Sequence, residues 1–180
     1  MNPLPNEHSS VKVSARHRTV WPSLRWVLRS PHRLLAFGFG SGLLRPGAGT
    51  WGTLLAWLLW IVSTDYHSDE HVAVVLVVGL VYGSWACGRV CRELGVHDHV
   101  GIVWDEIVAF WLVLWLTPST WLWQLIAFGL FRFFDIVKPG GIKKIDSTIK
   151  GGIGVMVDDL VAAAYTLLVI AILVQVGGRL

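Results

Sequence analysis

The sequence predicts an all-α integral membrane protein with about five transmembrane helices. Three observations point there. Apolar residues make up 54% of the 180-residue chain and charged residues only 15%, with a mean hydropathy of +0.59; a soluble domain carries about 25% charged residues. The apolar residues fall into five runs separated by short polar or glycine-rich stretches. The basic residues are segregated. With the N-terminus inside and the runs alternating, segments 1–52, 87–106 and 132–159 hold seven, two and five Lys or Arg, 14 of the 15 in the chain. Short cytoplasmic loops carry such an excess.

Residues 1–33 are polar and basic and lack the apolar core and cleavage site of a signal peptide. They read as a cytoplasmic arm. From Val11 to Arg33 it mixes six basic residues with Trp21, Leu24, Trp26, Val27 and Leu28, a composition open to two states: an amphipathic segment on anionic lipid or a disordered tail. Residues 34–180 read as one transmembrane domain. Its first span, Thr53 to Ser63, is short against the ~20 residues a crossing needs. The apolar "LLAFGFGSGLL" precedes it, so the element is expected to be broken or re-entrant. The remaining spans are His71 to about Ala86, Ile107 to Leu116, Trp121 to Phe134 and Leu160 to Val176. The outside loops "TDYHSDEH" and "TPST" carry no Lys or Arg. Tryptophans mark both interfaces, with Trp60, Trp115, Trp121 and Trp123 near outer ends and Trp51 and Trp104 near inner ends. Cys87 and Cys91 share one face of a helix end and read as small buried residues, since four residues of spacing sets up no disulfide framework. A net charge of +3 gives no reason to expect a nucleic-acid partner. The oligomeric state is not set by the sequence.

This topology gathers the acids. Asp98 lies in the inside loop "GVHDHVG", Asp105 and Glu106 open the third span, Asp135 closes the fourth, and Asp158 and Asp159 open the fifth, all on the inner face. One Asp before an apolar run is an ordinary helix cap. Six carboxylates at one depth need counter-charge. Helix N-termini favour Asp105, Glu106, Asp158 and Asp159 by about 0.3–1 kcal/mol each, and Arg132 and Lys138 flank Asp135. A divalent cation would supply the rest, with Asp105, Glu106, Asp135, Asp158 and Asp159 as its candidate ligands; hard oxygen ligands in an open arrangement suit Mg²⁺, which also takes phosphate oxygens. Arg132 as a bidentate fork and Lys138 as a point charge could hold those oxygens. The glycine-rich "GFGSGLLRPGAGTWGT", with Arg45, Thr50 and Thr53, runs into the first span. Its backbone amides could approach a phosphate, with Thr50 as a hydroxyl donor, although tight helix packing explains such glycines equally well. His97 and His99 flank Asp98 and could handle protons; a structural role suits them as well.

The blocks "GFGSGL", "HDH", "IVWDEIV", "FRFFDIVKP" and "GGIGVMVDDLVA" resemble, in order and spacing, those of the phosphatidylglycerophosphatase A family of bacterial inner-membrane lipid phosphatases, over most of residues 33–165. The resemblance implies Mg²⁺-dependent hydrolysis of phosphatidylglycerophosphate to phosphatidylglycerol and phosphate at the cytoplasmic face. It also implies that Asp98, Asp105, Glu106, Asp135, Asp158 and Asp159 form the active site. Ala48 stands where the family has Pro, and Gly140 and Gly141 stand where it has Trp and Pro; both changes affect loops and leave the carboxylates in place. Direct attack by water and a transient phospho-Asp are both open to such a cluster. Another lipid or isoprenoid phosphate is the alternative substrate. A divalent-cation transporter would need acids at mid-membrane, and none lies between Ile107 and Phe134.

Overall fold

A computed structural model describes residues 21–66, 68–96, 98–139 and 152–177. Among these the regular structure is entirely helical. Two short helices, α1 (Leu24–Leu28) and α2 (Pro31–Ala36), lead through a 3₁₀ segment, Gly38–Leu43, into α3 (Ala48–Val62); α4 (Asp69–Leu94), α5 (Trp104–Leu116), α6 (Trp121–Val137) and α7 (Gly152–Gly177) follow.

Local chemistry sets these limits. Gly47, left-handed at φ 73°, is the N-cap of α3, a conformation glycine adopts without steric cost. Ser68 caps α4 by accepting from the His71 N–H, and Gly95 ends it at φ 68°. Helix α6 stops at Lys138, which is left-handed at φ 45° and precedes Pro139, a residue that cannot continue the ladder.

Helix α5 is the hub and packs against α3, α4, α6 and α7. Ile107, Phe110 and Val113 on it are fully buried, as are Val108 and Ala109 to within 1%. A helix apolar all round finds its place inside a bundle, which is why 13 residues suffice here. Small residues let the neighbours close in. A side chain on Gly83 of α4 would overlap the Trp104 ring, and one on Gly152 of α7 would overlap the Ser84 carbonyl oxygen. Trp104 is 7% exposed and donates its indole N–H to Gly79 O at 3.0 Å. It is a wedge between helices rather than the interfacial anchor its position in the sequence suggested.

Helices α4 and α7, 26 residues each, are long and apolar enough to cross a membrane. Helices α3, α5 and α6 have 15, 13 and 17 residues, roughly 20–26 Å at ~1.5 Å per residue against a hydrocarbon core of ~30 Å. The glycine-rich break before the first span is the 3₁₀ segment, whose Phe39 and Gly40 have φ of 55° and 101°. The described part of the basic arm, residues 21–33, forms α1 and the start of α2. Arg33 bonds Glu93 Oε2 at 2.7 Å, holding α2 to the end of α4. Cys87 and Cys91 are buried in the last turns of α4.

One expectation changes. Asp158 and Asp159 do not open their helix. Helix α7 begins at Gly152 and has no acid in its first turn. The dipole's benefit falls off within that turn, so these two buried carboxylates depend on side-chain partners instead.

Candidate active site

Helix α5 starts on Trp104, so Asp105 and Glu106 sit in its first turn at the centre of the bundle, where the helix dipole favours anions. Adjacent helical residues diverge by about 100°. Trp104 therefore wedges against α4 while the next two side chains turn toward α6 and α7. Asp159 comes to meet them from α7. One carboxylate oxygen from each of Asp105, Glu106 and Asp159 lies within 4.8 Å of the others. Asp105 and Asp159 are 8% and 4% exposed, and the Glu106 side chain is 12% exposed.

Basic groups hold the rim. Arg132 Nη1 donates to Asp135 Oδ2 at 2.8 Å and stands 3.9 Å from Glu106 Oε1. It also donates to Thr53 Oγ1 at 3.4 Å. Asp135 lies close to Asp159. On the other side Lys138 Nζ donates to Asp158 Oδ2 at 2.6 Å. Burial pulls the Lys138 pKa down, but the Asp158 hydrogen bond and the charges of Asp158, Asp159 and Asp135 more than offset this. The net shift is upward, and the ammonium stays charged at neutral pH.

The two adjacent pairs thus divide differently. Asp105 and Glu106 both face the shared centre. Of the other pair, Asp159 faces it while Asp158 turns to Lys138. Asp98 is exposed in the loop between α4 and α5 and stands outside the three-carboxylate group. His99 is buried in that loop. Its Nδ1 accepts from the Gly101 N–H at 3.0 Å, and its ring packs 5.5 Å from both Trp21 and Phe37. His97, Gly140 and Gly141 lie outside the described residues. Thr50 sits in the first turn of α3, where its N–H bonds Gly47 O.

Two residues of the glycine-rich stretch take roles that the sequence did not assign them. Thr53, fully buried, donates to Gly49 O at 2.8 Å and receives Arg132. A Cβ on Gly49 would overlap Glu106 Oε1 and come within 3.0 Å of Arg132 Nη2. The signal that could have found them is their four-residue spacing, which puts both on one face of α3.

Asp105 Oδ1, Glu106 Oε2 and Asp159 Oδ2 are buried with no hydrogen-bond partner. Orphaned buried oxygens are costly, more so when charged. Three hard oxygen donors within 4.8 Å of one another, with a guanidinium only at their edge, fit a divalent cation of the Mg²⁺ type.

Comparison with known proteins shows the family. The sequence model described as phosphatidylglycerophosphatase A matches residues 34–174. The chain belongs to the phosphatidylglycerophosphatase A family. It is 42% identical over 150 residues to the phosphatidylglycerophosphatase A of Haemophilus influenzae, covering 83% of this chain and 92% of that one. It is 38% identical over 155 residues to the Escherichia coli protein of the same name, covering 86% and 89%. A Bacteroides thetaiotaomicron protein provisionally named a phosphatidylinositol-3-phosphatase is 39% identical over 146 residues, covering 77% and 91%. No solved structure matches the chain. The family match spans every helix from α3 to α6 and most of α7, and so takes in all three grouped carboxylates.

Proposed function

We propose that this protein is a Mg²⁺-dependent phosphatidylglycerophosphatase, releasing phosphate from phosphatidylglycerophosphate to leave phosphatidylglycerol. The observation that carries the reading is the meeting of Asp105, Glu106 and Asp159, oxygens within 4.8 Å, in a chain of this family. Asp105, Glu106 and Asp159 would hold the ion. When bound, such an ion neutralises phosphate charge and polarises a water molecule or phosphoryl oxygen.

The chain's own residues do the rest. Arg132 Nε is buried without a partner, a donor left over for a phosphate oxygen, while its Nη1 is committed to Asp135 and Thr53. Lys138, kept cationic and aligned by Asp158, attracts the phosphate as a point charge. Thr50, in the N-terminal turn of α3, offers a hydroxyl to the phosphate. Asp135, ion-paired to Arg132 at 2.8 Å, holds the guanidinium in place. Asp98, exposed in the loop between α4 and α5, would border the site.

In this reading five segments cross a bacterial inner membrane with the N-terminus inside, and the acid group opens to the cytoplasm. The segregation of 14 of 15 basic residues supports that orientation. The short α3, α5 and α6 then cross with their ends in the headgroup region. A phosphomonoester on a lipid headgroup lies at that depth.

The test is phosphate release by purified protein from phosphatidylglycerophosphate in mixed micelles, with Mg²⁺ and with chelator. Release only with Mg²⁺ is expected; equal release in chelator refutes the metal assignment. The Bacteroides relative's name favours one second reading, a different lipid phosphomonoester as substrate. A panel including phosphatidic acid and phosphatidylinositol 3-phosphate separates the two.

A further inference from the structure

Residues 21–33, open in the sequence to a lipid-bound segment or a disordered tail, form α1 and the start of α2, and α2 packs on α4. Helix α1 carries two exposed stripes. At roughly 100° per residue, Leu24 and Leu28 fall on one line and Arg25 and Arg29 on the next. The leucines are 55% and 57% exposed and both arginines are exposed, whereas Val27, on the side away from the arginines, is fully buried. The helix thus has a protein face, an apolar face and a basic face.

A second basic group lies beside it. Arg33 at 2.7 Å, His32 at 3.0 Å and Arg89 at 3.2 Å all meet Glu93 in the last turn of α4. Residues 21–36 contain no acid, and the last two turns of α4 contain only Glu93 beside Arg89 and Arg92. Among the described residues no carboxylate pairs with Arg25, Arg29 or Arg92. One turn before Arg89, Trp85 is 46% exposed and packs 5.2 Å from Tyr82, itself 42% exposed. Exposed Trp and Tyr on a spanning helix mark the headgroup level. The His32 ring meets Trp85 edge-on at 5.8 Å, which brings the junction of α1 and α2 to that same level.

We infer that α1 and the C-terminal end of α4 form a binding surface for anionic phospholipid, with Leu24 and Leu28 in the acyl boundary and Arg25, Arg29 and Arg92 on phosphodiester headgroups. The inference rests on the membrane reading above and not on the reaction. The occupant is anionic lipid because guanidinium groups are left over at headgroup depth, where an anionic leaflet attracts each of them, and because the adjoining leucines suit the apolar side of a lipid interface. The surface concentrates anionic lipid, the charge class of the proposed substrate, at the end of the bundle that carries the acid group.

The test titrates detergent-solubilised protein with phosphatidylserine or phosphatidylcholine of the same chain length and counts bound lipid by native mass spectrometry. Phosphatidylserine is a phosphodiester and offers no phosphomonoester to the proposed catalytic site. The parent is expected to bind it at least about tenfold more tightly than phosphatidylcholine. Arg25→Gln, Arg29→Gln and Arg92→Gln together should cut that preference at least about fivefold, the fold-change of ~1 kcal/mol. Lys138→Gln, in the proposed catalytic site, should keep it. A second measurement needs no arginine variant. A fluorophore on Leu28→Cys, with the native Cys87 and Cys91 buried, should be quenched in nanodiscs by lipid spin-labelled on an upper acyl carbon and shielded from iodide. Equal affinity for the two lipids, a preference kept by the triple variant or lost in Lys138→Gln, or an iodide-accessible label overturns the surface. Protein released from membranes by alkaline carbonate without detergent would refute the membrane reading itself.

Discussion

Gly49 and Glu106 are packed so closely that a side chain on Gly49 would take the place of Glu106 Oε1. Glycine at the first turn of α3 is thus a condition for the position of a carboxylate on α5. Gly49→Val forces the Glu106 carboxylate, or Arg132 beside it, to move. An ångström of displacement at a reacting centre can cost about 10²-fold. A fall of that order in kcat is expected, with circular dichroism and thermal unfolding close to the parent. Parent-like kcat would show that Glu106 is not held where catalysis needs it.

The unequal roles within the second acidic pair give a directional test. Asp159 shares the centre with Asp105 and Glu106, whereas Asp158 bonds Lys138. Asp159→Asn, like Asp105→Asn, should lower kcat by at least roughly 10²-fold, the scale of losing a transition-state electrostatic partner, and raise the Mg²⁺ concentration needed for half-maximal rate. Asp158→Asn should act on substrate through Lys138, raising KM with the Mg²⁺ requirement unchanged. A Mg²⁺ titration of each variant checks this. The reverse pattern would exchange the two assignments.

Removing one charge from the centre should stabilise the metal-free protein. Three buried carboxylates repel one another, so Asp105→Asn in chelator should raise Tm by roughly 2–4 °C, the shift for about 1 kcal/mol in a chain of this size. The same variant should lose the stabilisation by Mg²⁺, which for the parent is about 2.7 kcal/mol at 100-fold above Kd. Differential scanning fluorimetry in detergent reads both effects. A lower Tm in chelator would mean that the carboxylates are held by protein contacts and not by an ion.

Arg132, paired with Asp135 on its own helix, ties the fourth span to the centre through Glu106 and Thr53. Breaking a buried ion pair by removing one partner typically costs about 3–5 kcal/mol. Arg132→Met should therefore destabilise strongly, and adding Asp135→Asn should recover part of the loss. Denaturant unfolding of both single variants and the double variant gives the coupling. Strict additivity would show that the 2.8 Å contact contributes little.

Helix α7 approaches α4 through Gly152, where a Cβ would overlap the Ser84 carbonyl oxygen. Backbone cannot yield as a flexible side chain can, so Gly152→Leu should cost at least the 1–3 kcal/mol typical of overpacking. It should also lower activity by shifting Asp159. Gly177→Ala, with open space around it, is the control and should be silent in both measurements.

Composition and periodicity by themselves determined the helical class, the order of the apolar segments and the set of acids at their ends. These follow from hydropathy and charge, which are local properties of the chain. The blocks around Asp105, Asp135 and Asp159 were also enough to identify the family. What the tertiary structure decided is the grouping. Linear order could not show that Asp105, Glu106 and Asp159 converge, that Asp158 turns away to Lys138, or that Asp98 stays at the surface, because those outcomes depend on how α5, α6 and α7 are rotated against one another. Nor could it show that Gly152 to Val157 extend α7 by more than a turn and remove the dipole from Asp158 and Asp159, since glycines read as a break until a neighbour such as α4 presses on them. Trp104 shows the same division: an aromatic at a span's end reads as an interfacial anchor, but once Gly79 and Gly83 open a space on α4, the indole fills it and sets the direction in which Asp105 and Glu106 point.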